Sequence, residues 1–287
     1  MIKYIKLYIY IIMETEINKY FIQGISDIIC DYYKPYIQMN YVQNDKLDKK
    51  ILDETNFYFF INKYKYDITD IYIYGIFIIK KCSNLFKDSS IRKIIIDGKL
   101  KCVGKCNHMF FNTKYFDCDL HNMDTSGVTD MSFMFYYSKI FNGFVDNWNT
   151  SRVKDMSFMF SNTDMFNRDL KWNTSRVRDM SFMFSNTKKF NGDIENWYTQ
   201  NVRYMNNMFL KSSSFNRDIG YWNTKNVRDM SYMFSYSKKF DQNINYWNIS
   251  SLRNIKAMFY MSNCKQNSKN KLKWNMDKIN IKSFIYM

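Results

Sequence analysis

Residues 173–197 read NTSRVRDMSFMFSNTKKFNGDIENW, and residues 149–172 read NTSRVKDMSFMFSNTDMFNRDLKW. The phrase returns in weaker form at 198–222, YTQNVRYMNNMFLKSSSFNRDIGYW, and at 223–247, NTKNVRDMSYMFSYSKKFDQNINYW. The six tryptophans stand at 148, 172, 197, 222, 247 and 274, with spacings of 24, 25, 25, 25 and 27. A fixed period of this size marks a repeat architecture. Backwards, Val103, Cys106, Met109 and Phe110 stand 25 residues before Val128, Met131, Met134 and Phe135. Ile79, Cys82, Leu85 and Phe86 fit the template one step further back. Forwards, Leu252, Ile255, Met258 and Phe259 continue it, and a broken copy follows from Trp274. The count is about eight units over 79–274, with 275–287 left as a degenerate C-terminal cap.

Within one unit, Val177, Met180, Met183 and Phe184 lie at i, i+3, i+6 and i+7, a spacing that predicts one face of a short helix. Ser175 is placed as its N-cap, and Asp179 lies in the early turn, where the helix dipole favours negative charge. SNTKKF then reads as a turn, and 192–196 as a short strand bracketed by Phe190, Ile194 and Trp197. Neither element buries its apolar face alone, so neighbouring units must stack. The expected fold is an α/β repeat solenoid, leucine-rich-repeat-like, with one short strand and one short helix per unit of about 25 residues and a non-repeat N-terminal cap. The recurring Met and Trp positions are then core rather than a metal box or a carbohydrate platform.

The phrase W-N-T-S-x-V-x-D-M-S-x-M-F followed by F-N-x-D-I-x-x-W resembles the BspA-like leucine-rich-repeat family, also described as the mycoplasma-lipoprotein repeat. The resemblance covers about two thirds of the chain and recurs in register. It implies an open α/β solenoid, with adhesion or protein-binding roles for the surface-displayed members. This chain lacks a lipobox around any Cys (Cys30 follows Asp-Ile-Ile) and carries no wall-anchor motif.

Composition narrows the classes that remain. At 46% apolar and 19% aromatic, the 287 residues are neither disordered nor collagen-like. Negative mean hydropathy and the lack of a long apolar run speak against several membrane spans. One Pro, eight Gly and a single Ala (Ala257) indicate an AT-rich genome, bacterial or viral, so codon drift accounts for part of the net charge of +15. Lys3 and Lys6 precede a short apolar stretch to Met13, but Glu14, Thr15 and Glu16 follow in place of a small-residue cleavage site. Met13 is an alternative start. With neither signal peptide nor anchor, an intracellular address is favoured.

Residues 1–78 do not repeat. Ile17, Tyr20, Phe21, Ile25, Ile28, Ile29 and Tyr32 predict an amphipathic helix ending near Pro35, and 56–79 reads as strands. A capping region is the favoured reading, because the first repeat needs its apolar face covered.

Positions that avoid the core line up as columns. One is basic, Lys154, Arg178, Arg203, Arg228 and Arg253, beside an acidic column of Asp130, Asp155, Asp179 and Asp229. Mutual neutralisation as surface ion pairs is favoured, and a recognition stripe for an acidic partner is the alternative. A strand-side acidic column, Asp169, Asp193 and Asp218, is a second candidate surface, for a basic partner. Asn149, Asn173, Asn223, Asn248 and Asn275, with Thr150, Thr174, Thr199 and Thr224 beside them, are expected to satisfy backbone groups at turns.

Cys102, Cys106, His108, Cys118 and His121 cluster within twenty residues. Cys106 takes the position that Met fills elsewhere, which leaves Cys102, His108, Cys118 and His121 as a disfavoured zinc set with no strong zinc spacing. No P-loop, G-x-G-x-x-G or G-x-S-x-G occurs, and neither His sits in a recognisable catalytic constellation, so neither enzyme activity nor a cofactor is expected. The tail is basic: residues 251–287 carry 8 basic and 1 acidic groups, among them Lys256, Lys265, Lys269, Lys271, Lys273, Lys278 and Lys282. The favoured function is a protein–protein interaction scaffold. Its rivals are sequence-independent nucleic-acid binding through the basic C-terminal end and a surface adhesin.

Overall fold

A computed structural model of the chain describes residues 36–43, 46–53, 56–263 and 274. The helix expected over 17–32, the alternative start at Met13 and the tail lysines from Lys265 onward lie outside the described residues.

β-branched and aromatic residues build the first elements. β1 (Tyr36–Gln43) and β2 (Lys46–Leu52) form an antiparallel pair, and β1 also pairs antiparallel with β3 (Ile68–Ile79). Parallel pairing then takes over. β3 pairs with β4 (Lys93–Lys105) from Asp70↔Lys93 to Ile79↔Cys102, and β4 with β5 (Met123–Asp130). The sheet order is β2-β1-β3-β4-β5. The stretch 56–79, read as strands, contains a helix, α1 (Phe57–Lys63), which buries Phe57 and Ile61 before β3 begins.

Beyond β5 the parallel ladder narrows to one bridge per repeat: Asp130↔Asp155, Asp155↔Asp179, Asp179↔Tyr204, Tyr204↔Asp229 and Asp229↔Asn254. This overturns the expected α/β repeat solenoid. Among the described residues the regular structure is one five-stranded mixed sheet with α1 as the only helix, and neither the helix over 177–184 nor the strand over 192–196 forms.

The backbone hydrogen bonds show why no helix forms. Alternate N–H groups of one repeat leave it altogether: Met180 donates to Tyr204, Phe182 to Asn206, Phe184 to Met208 and Asn186 to Leu210. The groups between them close turns three residues back, Met183 onto Met180, Ser185 onto Phe182 and Thr187 onto Phe184. Phe182 (φ 57°) and Asn186 (φ 56°) are left-handed, and such a pair recurs in every repeat from Asn84 and Asp88 to Ala257 and Met261. A left-handed non-glycine costs about 1 kcal/mol or more. Here the bend delivers each second N–H to the next repeat, so that the backbone donors are satisfied.

Consecutive turns bring residues three and four apart onto one side, as a helix does, and the apolar residues still meet. Val177, Met180, Met183, Phe184, Phe190, Ile194 and Trp197 are all buried. Their rings stack from repeat to repeat: Phe160, Phe184, Phe209 and Phe234 at 5.7–5.8 Å between centroids, and Trp148, Trp172, Trp197, Trp222 and Trp247 at 6.1–6.4 Å. Each buried indole also places its N–H on a carbonyl of the preceding repeat, as Trp172 does on Val145 (2.8 Å) and Trp197 on Leu170 (2.7 Å).

Candidate functional site

The basic column is built by the ladder itself. Arg178 N–H donates to the Lys154 carbonyl (2.9 Å), Arg203 to Arg178, Arg228 to Arg203 and Arg253 to Arg228, the last three at 2.8 Å. Ladder neighbours lie about 4.8 Å apart, so five cationic side chains leave the backbone in one register. Lys154, Arg178, Arg203 and Arg253 are exposed and Arg228 is half-buried. With Arg176, Asn201, Asn226 and Ser251, the side chains of Lys154, Arg178, Arg203 and Arg228 line a groove of about 490 Å³. The side-chain amides of Asn201 and Asn226 donate hydrogen bonds to the Ser175 and Gln200 carbonyls, at 2.6 and 2.7 Å. This second row stands two residues before the basic column in each repeat, but its residue types vary, so composition does not mark it as a column.

Among the described residues the adjacent acidic column makes no ion pair with the basic one. Asp155 Oδ1 accepts from the Ser157 N–H (2.9 Å) and hydroxyl (2.7 Å), Asp179 from the Ser181 N–H (2.8 Å), and Asp229 from the Ser231 N–H (2.8 Å) and hydroxyl (2.7 Å). These carboxylates cap turns. Burial pushes the Asp179 carboxyl up, the Ser181 bonds pull it back, and the neighbouring Asp155 charge adds to the rise. Among the described residues the ion pairs are Lys99–Asp124 (3.2 Å) and Lys188–Asp164 (2.9 Å), neither involving the basic column. The favoured expectation of mutual ion pairing is therefore corrected, because the turns claim the carboxylates first.

The strand-side acidic column is likewise committed to backbone. Asp169 accepts from the Asp193 N–H (2.8 Å), Asp193 from Glu195 (3.0 Å) and Asp218 from Gly220 (2.9 Å). Asn149, Asn173, Asn223 and Asn248 each accept from the N–H two residues on, and Thr150, Thr174, Thr199 and Thr224 donate to carbonyls of the following repeat.

The zinc set is not assembled. His108 stacks on Phe133 (centroids 4.6 Å apart) and its Nδ1 lies 3.1 Å from the Asn107 amide. Burial and then the Lys87 charge hold His108 below its ordinary value, with Asp130 opposing. Cys118 Sγ accepts from the Ile94 N–H (3.4 Å), and His121 is exposed. Cys102 instead joins Cys82 and Cys106, the three sulfurs lying within 4.8 Å of one another. The neighbouring Cys102 and Cys106 thiols hold Cys82 below its ordinary value, whereas the same neighbours and burial push Cys102 well up. Sequence order marks Cys82 only as a core position. The clue was that it shares a template column with Cys106, 24 residues on.

These features define a repeat protein whose units stack through a parallel bridge ladder and present one basic groove. A family model described as "Mycoplasma protein of unknown function, DUF285" matches residues 80–171 and 170–274, and the chain belongs to this family. No curated protein and no solved structure matches the chain. No helix among the described residues is long and apolar enough to cross a membrane.

Proposed function

We propose that the chain is a non-enzymatic interaction scaffold whose basic ladder holds an acidic stretch of a partner protein. The observation that carries this reading is the groove of Lys154, Arg178, Arg203 and Arg228, with no carboxylate among its lining residues. Unpaired guanidinium groups in register suit an extended anionic chain, because each offers a planar fork to a carboxylate. The likeness of the repeat phrase to the BspA-like family also supports a protein partner, with an adhesin as the surface-displayed version of the same role.

The test is binding of a labelled oligo-glutamate peptide and of single-stranded DNA to the full chain, from about 50 to 200 mM salt. The peptide is expected to bind, and Arg178→Gln with Arg203→Gln to weaken it about tenfold, equivalent to about 1.4 kcal/mol. DNA binding that exceeds peptide binding and ignores this double substitution would move the function to the basic C-terminal end. Peptide affinity unchanged by the double substitution would remove the groove from the function.

A further inference from the structure

Three of the chain's cysteines meet in the core where the N-terminal sheet passes into the repeats. Cys82 lies just beyond β3, Cys102 near the end of β4, and Cys106 immediately after β4. The pairing of Ile79 with Cys102 carries the end of β3 to Cys102, and the Cys82 thiol donates to the Ile79 carbonyl at 3.2 Å. All three are free thiols with 0% exposure, and their sulfurs lie within 4.8 Å of one another. Cys82 and Cys106 occupy the template position that Met131, Met156 and Met180 fill in the following repeats. Packing alone is met by methionine there. Cysteine in two successive repeats, with Cys102 brought beside them, concentrates sulfur donors at one point.

We propose that Cys82, Cys102 and Cys106 form a three-sulfur site for a soft metal ion of the monovalent copper class. A metal–thiolate bond is about 2.3 Å, so three sulfurs around one ion in a plane stand about 4 Å apart. The three sulfurs lie within 4.8 Å of one another, so that separation is within reach of small side-chain adjustments. No histidine or carboxylate joins them among the described residues. Structural zinc takes four ligands, and a fully buried trio supplies neither a fourth side chain nor open access for a water. Soft sulfur donors suit monovalent copper as well as zinc and iron–sulfur clusters, and of these monovalent copper accepts three-coordinate sulfur. Each thiol that binds as thiolate releases its proton to solvent, with no change in the oxidation state of sulfur or metal. The site is independent of the basic groove, which is lined by other repeats.

The test is an anaerobic titration of the reduced full-length protein with Cu(I) against a chromogenic chelator, with Zn(II) against a matched chelator in parallel. One Cu(I) per chain is expected to be retained, and X-ray absorption should show sulfur neighbours alone, three at about 2.3 Å. Cys82→Ala and Cys102→Ala should lose the ion, and Cys118→Ala, outside the trio, should keep it. Cys106→Met installs the side chain of later repeats, so it should retain the wild-type far-ultraviolet spectrum while weakening retention about tenfold or more. No retention of Cu(I) by folded, reduced wild type would overturn the proposal regardless of how the variants fold. So would zinc held in preference to copper, or copper held undiminished by Cys102→Ala.

Discussion

The backbone N–H of Arg203 donates to the carbonyl of Arg178 at 2.8 Å, which ties two cations of neighbouring repeats to one ladder. Like charges held at ladder spacing repel, and salt screens that repulsion. Arg203→Gln is therefore expected to raise the thermal midpoint at low salt, with the gain shrinking as salt increases. Melting curves at two ionic strengths check this, and a lowered midpoint at low salt would mean that Arg203 has a compensating partner.

Asp155 shows how the turns depend on their carboxylates. Its Oδ1 accepts both the N–H and the hydroxyl of Ser157, at 2.9 and 2.7 Å. Asp155→Ala should cost about 1–3 kcal/mol, the range for leaving buried donors unmet. Asp155→Asn, which keeps an acceptor oxygen, should cost less. Denaturant unfolding of the two variants separates loss of the cap from loss of the charge.

Repeats approach closely enough at Gly192 to exclude a side chain. A Cβ there would lie 2.0 Å from the Arg168 carbonyl oxygen, whereas at Gly104 (φ 82°) nothing lies within 4 Å of it. Gly192→Ala should destabilise by about 1–3 kcal/mol, as overpacking does. Gly104→Ala should cost about 1–2 kcal/mol, from its left-handed backbone alone. Only the first should also disturb its neighbouring repeat, seen as faster amide exchange at Asp193, whose N–H donates to Asp169.

His108 gives the fold an acid-sensitive point. Burial and Lys87 hold its folded pKa below the ordinary 6.5, so the unfolded chain takes up the proton first as pH falls. Stability that is full above about 6.5 is then lost as pH falls below it towards the folded value. His108→Phe installs the ring that Phe133, Phe158 and Phe182 supply in the next repeats, and it should flatten the profile in that window. Unfolding midpoints between pH of about 5.5 and 7.5 check this, and an unchanged slope would assign the loss to other groups.

Much of the packing was readable from residue identities. The residues chosen as core at Val177, Met180, Met183, Phe184, Ile194 and Trp197 are buried, and their counterparts stack in register. The spacing predicts a helix that does not form, because a spacing of three and four residues belongs equally to a helix and to a run of turns closed three residues back. What separates them is the left-handed backbone at Phe182 and Asn186, and Phe is not a residue type that signals it. The basic column was legible as a column, but its lack of ion pairs was not. Asp155 and Arg178 sit in adjacent columns on paper, and only the turn geometry commits Asp155 to Ser157.

The repeat length, the apolar positions and the charged columns are properties of order along the chain. They were present in the sequence because each repeat must offer the next one the same face. The partners of each N–H, the commitment of the carboxylates to turn caps and the meeting of Cys82, Cys102 and Cys106 were decided by tertiary structure. The outward N–H groups join residues about one repeat apart, and the carboxylate caps close within turns whose bend is set by the stacking of repeats. One repeat alone cannot satisfy its outward N–H groups, so the stacking that buries the core also chooses the backbone conformation.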